Sequence, residues 1–455
     1  MYFNRLAESN RIETYYDRTD NGVVILYGHK DTDIQSVIRT FTEGKDHFYY
    51  LARNVSREKQ LEIFKGESRG DISWSEDDEE SFDGIFSRLL SFKCKKRVIV
   101  IDEFQNIVRS DPDFMKSVID AVGDRWANQP VLFVLSSSNP YWIENCMIEK
   151  LGELAYEISG LIKLSEGSFM DIVKGFKGYG LKECIDLYSI LGGKFLYLKC
   201  FDPQITVEEN IKKNLLDQAS FLYNEGLNIL PGELREHSVY NTILHTIALG
   251  NEKLNDIHKI TGFSRAKISV YIKNLIDYEL VEKIDSFENA GKENAVKGMY
   301  RISDRFVSFW YRFIFSNMTK LSMLSADEFY DDFIRPGLKS HTADSFRTVC
   351  LEYISLLNKR NKLPYKLDKI GRWVGKVGTI DIIGQDSEGS CLIGCCSWEK
   401  PDMSYEDFEW LSFCVSQAKL KATDYYLFSG GGFDEALKDY AARNDNIYLI
   451  DSSML

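Results

Sequence analysis

The chain has 455 residues, 44% of them hydrophobic and 27% charged, which is enough apolar side chain for several cores and excludes a disordered chain. Its formal charge of -13 excludes a generally basic nucleic-acid coat, so any polyanion contact must come from a local basic face. Nine cysteines occur without a CxxC pair or paired histidine ligands, no apolar run approaches a membrane span, and the start MYFNRLAESNR has no apolar signal core, which together predict reduced thiols and a cytoplasmic protein without a membrane partner.

In chain order, residues 1–20 read as a helix leading into the strand Val23–Tyr27. After Gly28 comes a polar loop, then helical spacing over Ile34–Phe41 and a strand candidate at His47–Leu51, together a βαβ unit. The acidic run Glu76–Ser81 reads as a solvated loop capping a helix over Phe82–Phe92. Arg97–Phe104, RVIVIDEF, is the centre of this part of the chain. Its β-branched run bounded by charge predicts a buried parallel strand, and the adjacent carboxylates Asp102 and Glu103 emerge at its carboxyl end, where open α/β sheets place their sites. Such a pair suits phosphoryl chemistry, the first acid holding Mg²⁺ and the second polarising water. A helix around Phe114–Asn128 and a strand at Val131–Ser136 follow, the strand ending in Ser136-Ser137-Ser138.

From Leu164 to Gly232 the pattern changes to helices with short loops, among them Lys182–Leu191, the Gly192-Gly193 break and Thr206–Leu216. Next comes a helix over Val239–Leu249, then two helices joined at Gly262 with a Ser264 cap, and paired strands at Val281–Ile284 and Gly298–Ile302: a winged helix-turn-helix. Its second helix carries Arg265, Lys267 and Lys273 before any acid, the pattern of a helix that contacts double-stranded DNA. Arg305–Asn317 is a dense aromatic stretch whose helical spacing predicts core or an interdomain hinge. From Ser340 a further domain is predicted: a helix over Ala343–Leu357, Lys369–Val374, strands at TIDIIG and SCLIGCCSW, a helix near Tyr405–Leu420, a strand at Asp424–Ser429, and a last helix and strand.

Several stretches carry a more specific resemblance: Phe3-Asn4-Arg5, Val23–Gly28, VIVIDEF, Ser136–Ser138, FLYNEGLNILPGELRE at Phe221–Glu236, the winged helix, FWYRF at Phe309–Phe313, and KIGRWVGKVGTIDII. The chain resembles an archaeal and bacterial AAA-type P-loop ATPase family with a winged helix and a restriction-endonuclease-like, PD-(D/E)XK, C-terminal domain. The resemblance implies an α/β fold in five parts: a P-loop NTPase-like parallel-sheet core over 1–163, a helical lid over 164–236, the winged helix over 237–304, an aromatic helical hinge over 305–339 and the nuclease-like domain over 340–455. It implies ATP and Mg²⁺ as ligands, with Asn4 and Arg5 near the adenine, Gly28 and Lys30 in the phosphate loop, Ser136 as polar sensor, and Asp102 on the metal beside a catalytic Glu103.

The departures from that family are systematic. Its phosphate loop reads like GRRRVGKT, whereas here Asp33, Ile34 and Gln35 stand where Gly, Lys and Ser/Thr belong, each change unfavourable to a polyanion. Glu157-Ile158 replaces a basic pair, removing a candidate arginine finger, and Phe195 stands where a proline usually follows the Gly-Gly break. In the tail Asp381 matches the first carboxylate of a nuclease, but Cys395 and Ser397 replace the Glu and Lys of E-x-K, and Arg347 stands where a helix often supplies another Glu. Asp386, in the turn, and Glu399, past the strand, are poorly placed to complete the set. The sequence therefore predicts a degenerate, non-hydrolysing scaffold or regulatory module without nuclease activity, partnered by DNA or by an active relative. The alternative is a divergent Mg-ATP-binding ATPase that uses Asp102 and Glu103, with Lys30 bending in for the missing lysine.

Overall fold

The computed structural model describes residues 5–18, 20–70, 81–91, 95–123, 130–284, 287, 299–375 and 377–454. They form two compact units, Tyr2–Glu166 with Lys194–Leu196, and Gly167–Gly193 with Tyr197–Leu455.

The first unit is built on strands β1 (Gly22–Tyr27), β2 (His47–Leu51), β3 (Arg97–Asp102), β4 (Val131–Ser137) and β5 (Gly160–Lys163), all parallel and in the order β2-β3-β4-β1-β5. Every residue of β1, β3 and β4 is buried, because helices cover both faces and the central strands must be apolar throughout. Alternate side chains divide between two cores. Val24, Leu26, Val98, Val100, Leu132 and Val134 face Ile12 of α1 (Leu6–Tyr16) and Val37 and Phe41 of α2 (Ile34–Thr42). Ile25, Ile99, Ile101, Phe133 and Leu135 face α3 (Arg57–Glu67), α4 (Phe82–Leu89), α5 (Gln105–Ser110) and α6 (Phe114–Val122), where Phe82 meets Phe114 edge to face at 4.9 Å.

The helix bounds differ from expectation in particular ways. Helix α3 has no counterpart among the predicted elements; only Gln60, Leu61 and Phe64 of it are buried, too few to make an apolar stripe, and its start is marked by Ser56, which accepts from Lys59 N–H. Helix α4 ends at Leu89, short of Phe92, and its cap is the Ser81 hydroxyl, which accepts from Gly84 N–H. Most of the acidic run, residues 76–80, lies outside the described residues, as do 124–129 beyond α6.

The second unit begins with helices, among them α7 (Leu181–Leu191) and α8 (Phe221–Leu227). The winged helix follows as α9 (His237–Ala248), α10 (Leu254–Thr261), α11 (Arg265–Asp277) and the antiparallel pair β6 (Val281–Ile284) and β7 (Met299–Ile302). Gly262 takes φ +71° between the two helices, and the Ser264 hydroxyl accepts from Lys267 N–H. The wing tip, residues 288–298, lies outside the described residues.

The aromatic stretch is helical and buried, with a π turn over Trp310–Ile314. Trp310 packs edge to face on Tyr223 at 5.4 Å, and a Cβ on Gly226 would stand 2.2 Å from the indole, so the FLYNEG and FWYRF stretches constrain each other. A π turn over Tyr330–Ile334 runs directly into α12, which spans Arg335–Lys359. The helix thus begins eight residues before the expected Ala343 and crosses position 340, because Pro336 lies in its first turn, where a missing N–H is tolerated. The C-terminal sheet comprises β8 (Lys369–Val374), β9 (Thr379–Gln385), β10 (Cys391–Ser397), β11 (Asp424–Ser429) and β12 (Ile447–Asp451) in the order β12-β11-β10-β9-β8. The first three strands run antiparallel and the last two join in parallel, with α13 (Tyr405–Gln417) packed against them.

A polar seam joins α7 to α12. Thr342 Oγ1 donates to Asp186 Oδ1 at 2.9 Å, and the fully buried His341 donates from Nε2 to the Ser189 carbonyl at 2.9 Å. Burial first, then the Arg312 charge, pushes His341 down to about 4, and burial pushes Asp186 up to about 6. Below pH ~6.5 the unfolded histidine takes up a proton that the folded one refuses, so the His341 contribution falls as pH drops towards 4. Asp186 works in the opposite sense, its folded form holding a proton that the unfolded form loses between about 3.8 and 6. The fall in melting temperature from pH 7 to pH 5 should therefore be smaller in His341→Gln, and larger in Asp186→Asn, than in the unmodified protein.

Candidate nucleotide site

The loop after β1 lies beside the carboxyl ends of β3 and β4, where a phosphate loop and its acids would meet. Instead of wrapping an open cradle it closes on itself. Lys30–Thr32 form a 3-10 turn in which Thr32 N–H donates to the His29 carbonyl at 2.9 Å and Thr32 Oγ1 to the same carbonyl at 2.6 Å. Asp33 takes φ +63°, and its carbonyl accepts from Ser36 N–H at 3.1 Å. Gly28 is kept by packing: a Cβ there would stand 2.8 Å from the Leu164 carbonyl and from Thr32 Oγ1. The Thr32 and Ser36 amides are thus engaged with the loop's own carbonyls, and the Gly28 amide donates to the Ser137 carbonyl of β4 at 3.2 Å.

Asp31, 5% exposed, points inward and forms an ion pair with Lys194, 4% exposed. The Asp31 Oδ1 atom is buried with no hydrogen-bond partner. Lys30, by contrast, is exposed at the start of the turn. The lysine buried at this loop thus comes from a position 163 residues along the chain, which no local motif announces. Its neighbour Phe195 has a second role, lying under the Arg5 guanidinium at 4.4 Å. Arg5 also donates to the Ser165 carbonyl at 2.7 Å and to Glu8 at 2.9 Å. Asn4 lies outside the described residues.

At the end of β3, Asp102 is 3% exposed and meets donors on both oxygens. Ser136 Oγ donates to Oδ1 at 2.6 Å and Glu103 N–H to Oδ1 at 3.1 Å, while the Tyr49 hydroxyl donates to Oδ2 at 2.7 Å. Burial first, and the hydrogen bond to Asp102 second, raise the Tyr49 pKa and keep it a donor. Glu103 has φ +56°, and its Oε2 accepts from Gln105 Nε2 and from Ser138 N–H at 3.4 Å. Asp102, Glu103 and Ser136 are therefore brought together, but as a closed set of hydrogen bonds. These residues do not fit Mg-ATP as they stand: the loop carries a buried carboxylate already paired with Lys194, and Asp102, the acid that would have to hold the metal, already has three donors.

On α11, Arg265 and Lys273 are exposed, with Arg265 Nε donating to Asn255 at 2.8 Å. Lys267 is drawn to Glu236 at 3.4 Å, and the same carboxylate accepts from the Tyr271 hydroxyl at 2.7 Å. In the C-terminal sheet the Asp381 carboxylate accepts from Arg347 Nε at 2.6 Å and from Cys396 N–H at 2.9 Å. Among the described residues there is no group of three or more His, Cys, Asp or Glu that could hold a metal ion.

Residues 310–410 match the family described as archaea bacterial proteins of unknown function. An uncharacterized protein of Methanocaldococcus jannaschii is 26% identical over 400 residues, 88% of each chain. Among solved structures, the Walker-type ATPase of Pyrococcus abyssi is similar with a TM-score of 0.46 and 17% identity over 68% of this chain and 96% of that one. The ORC2 protein of Aeropyrum pernix gives 0.44 and 13% over 72% and 92%. The family match covers the end of the aromatic stretch, α12 and strands β8 to β10, and so includes both Arg347 and Asp381.

The ion pair in the loop after β1 has a measurable signature. Lys194→Met leaves the Asp31 carboxylate buried and uncompensated, and should cost about 3–5 kcal/mol in urea unfolding, whereas Lys194→Met combined with Asp31→Leu should recover most of that loss.

Proposed function

We propose that this chain keeps a P-loop ATPase fold without its hydrolytic chemistry and works as a scaffold or regulatory module. The observation that carries this reading is the buried Asp31–Lys194 pair, because it builds a carboxylate, already neutralised by the protein's own lysine, into the loop that we read as the phosphate loop. A nucleotide would have to enter beside that charge and displace a lysine bound to it, which opposes binding of a polyanion. The other reading, a divergent ATPase using Asp102 and Glu103, requires Tyr49 and Ser136 to release the Asp102 carboxylate before it could hold Mg²⁺. The C-terminal domain, read as restriction-endonuclease-like, is silent in the same sense: a guanidinium stands against Asp381 where a cleaving enzyme would bring a cation and an E-x-K pair. Calorimetric titration of Mg-ATP into the protein should release no binding heat, in the unmodified chain or in Asp102→Ala. Micromolar binding that weakens in Asp102→Ala would replace this reading with the divergent ATPase.

The winged helix is the part of this module that we assign to contact, with double-stranded DNA as its partner and an active relative of the same fold as a second candidate for the rest of the surface. Exposed Arg265 and Lys273 on α11 support the DNA assignment, while Glu236 weakens the contribution of Lys267. Arg265→Glu with Lys273→Glu should abolish a gel shift of duplex DNA at low salt, whereas Lys267→Glu alone should reduce it less. Each phosphate that is no longer neutralised should lower the slope of log K against log salt by about 0.9. Absence of any shift at low salt for the unmodified protein would exclude the assignment.

A further inference from the structure

A cavity of about 230 Å³ lies within the second unit, between the base of the wing and the helices that begin at Arg305 and Arg335. Three arginines line it, Arg301, Arg305 and Arg312, together with the carboxylates Glu252, Glu282 and Asp344. The numbers balance, but the pairing does not. Arg301 reaches Glu282 through two nitrogens, at 2.7 and 3.1 Å. Asp344 is held by Arg347 at 2.6 Å. That leaves Arg305 and Arg312 with no carboxylate at ion-pair distance among the described residues, although Asp344 and Glu399 act on Arg312 through space: Arg305 lies over the Tyr188 ring at 4.3 Å with its Nε buried and without a hydrogen bond, and Arg312 donates to the Ser340 hydroxyl at 2.6 Å.

We propose that this cavity binds the oxyanion of a small molecule, a phosphate or a carboxylate group, between the guanidiniums of Arg305 and Arg312. A buried, unsatisfied guanidinium nitrogen is costly, and a bidentate oxyanion is the chemistry that answers it. The hydroxyls of Ser308, Ser345 and Thr348 line the same space and add neutral donors. Glu252, the remaining carboxylate, is shifted by burial towards its protonated form, which lessens its repulsion of an anion and lets it donate. His341 stays neutral there and carries no charge that would compete for the ligand. A total volume of about 230 Å³ limits the occupant to a small molecule, so the ligand class is a small phosphorylated or carboxylated metabolite. This site is independent of the nucleotide cleft and of the DNA-contacting helix, and its failure would leave the proposed function untouched.

The test is thermal unfolding and calorimetry of the full chain with inorganic phosphate or malonate as probe, against chloride at equal ionic strength. At concentrations well above the dissociation constant, one probe should raise the melting temperature by about 2–4 °C, phosphate naming a phosphate group and malonate a carboxylate. Arg305→Met should lose that rise while melting in chloride within about 1–2 °C of the unmodified protein, because no ion pair is removed. Arg305→Lys keeps the charge but not the fork, and should weaken the calorimetric affinity about tenfold; it decides the matter if Arg305→Met does not fold. The proposal is overturned if neither probe stabilises the protein beyond chloride, if Arg305→Met responds as the unmodified protein does, or if Arg305→Lys binds with unchanged affinity. A merely structural role for Arg305 against Tyr188 would instead lower the melting temperature of Arg305→Met equally with and without the probes.

Discussion

A carboxylate taken out of water must be met by a cation or by several donors, since stripping its hydration costs several kcal/mol that packing alone does not return. Asp31 is such a carboxylate, placed by a tight turn in the loop that gives P-loop folds their anion site. Once it is there, much of the cleft follows. Lys194 must be buried against it, the Lys194–Leu196 segment must lie with the parallel-sheet unit, and Phe195 is thereby brought under Arg5. Two amides of the loop, those of Thr32 and Ser36, turn onto its own carbonyls.

The same logic recurs at two other acids that the sequence singles out. Asp102 is met by hydroxyls from Ser136 and Tyr49, and Asp381 by the guanidinium of Arg347. In each case the acid remains and its counter-charge or donor set comes from the protein. Folding alone gives these acids a role, because removing one would leave its partner as an unpaired donor or cation. This separates the presence of an acidic motif from the presence of its reaction: RVIVIDEF holds its place as a buried strand whose end is tied down, whether or not a metal ever binds there.

Much of the architecture is legible in the sequence because it rests on local pattern. Strands β1, β3 and β4 are built on the apolar runs Val23–Tyr27, Val98–Ile101 and Val131–Leu135, and the winged helix announces itself through Gly262 and the Ser264 cap, both observed in those roles. Helix α3 escapes such a reading because its buried face amounts to three residues, and the early start of α12 because Pro336 reads as a boundary when it is a first-turn residue. Within the loop after β1, the departure from a phosphate-loop pattern can be read directly from Asp33, Ile34 and Gln35, but the buried ion pair cannot: Asp31 and Lys194 meet across 163 positions with no motif between them. Arg347 and Asp381 each stand out in the sequence, one as a departure from a nuclease pattern and the other as its remnant, yet their direct contact is a tertiary fact that spacing does not reveal. The exposed Lys30, the more obvious candidate from its position in the loop, shows how proximity in sequence misleads when a buried charge can be answered from anywhere in the fold.

The membership of Lys194–Leu196 in the first unit also bears on how the chain can be divided. The polypeptide leaves that unit after Glu166, returns for three residues, and leaves again. A fragment ending at Glu166 would contain all five parallel strands and still lack the ammonium that neutralises Asp31. The two units are therefore interleaved along the chain, and a recombination or proteolytic cut between them would deliver an electrostatically incomplete core. Modularity here is a property of the contacts and not of the sequence order, so insertion or exchange of one unit would have to carry this short returning segment with it.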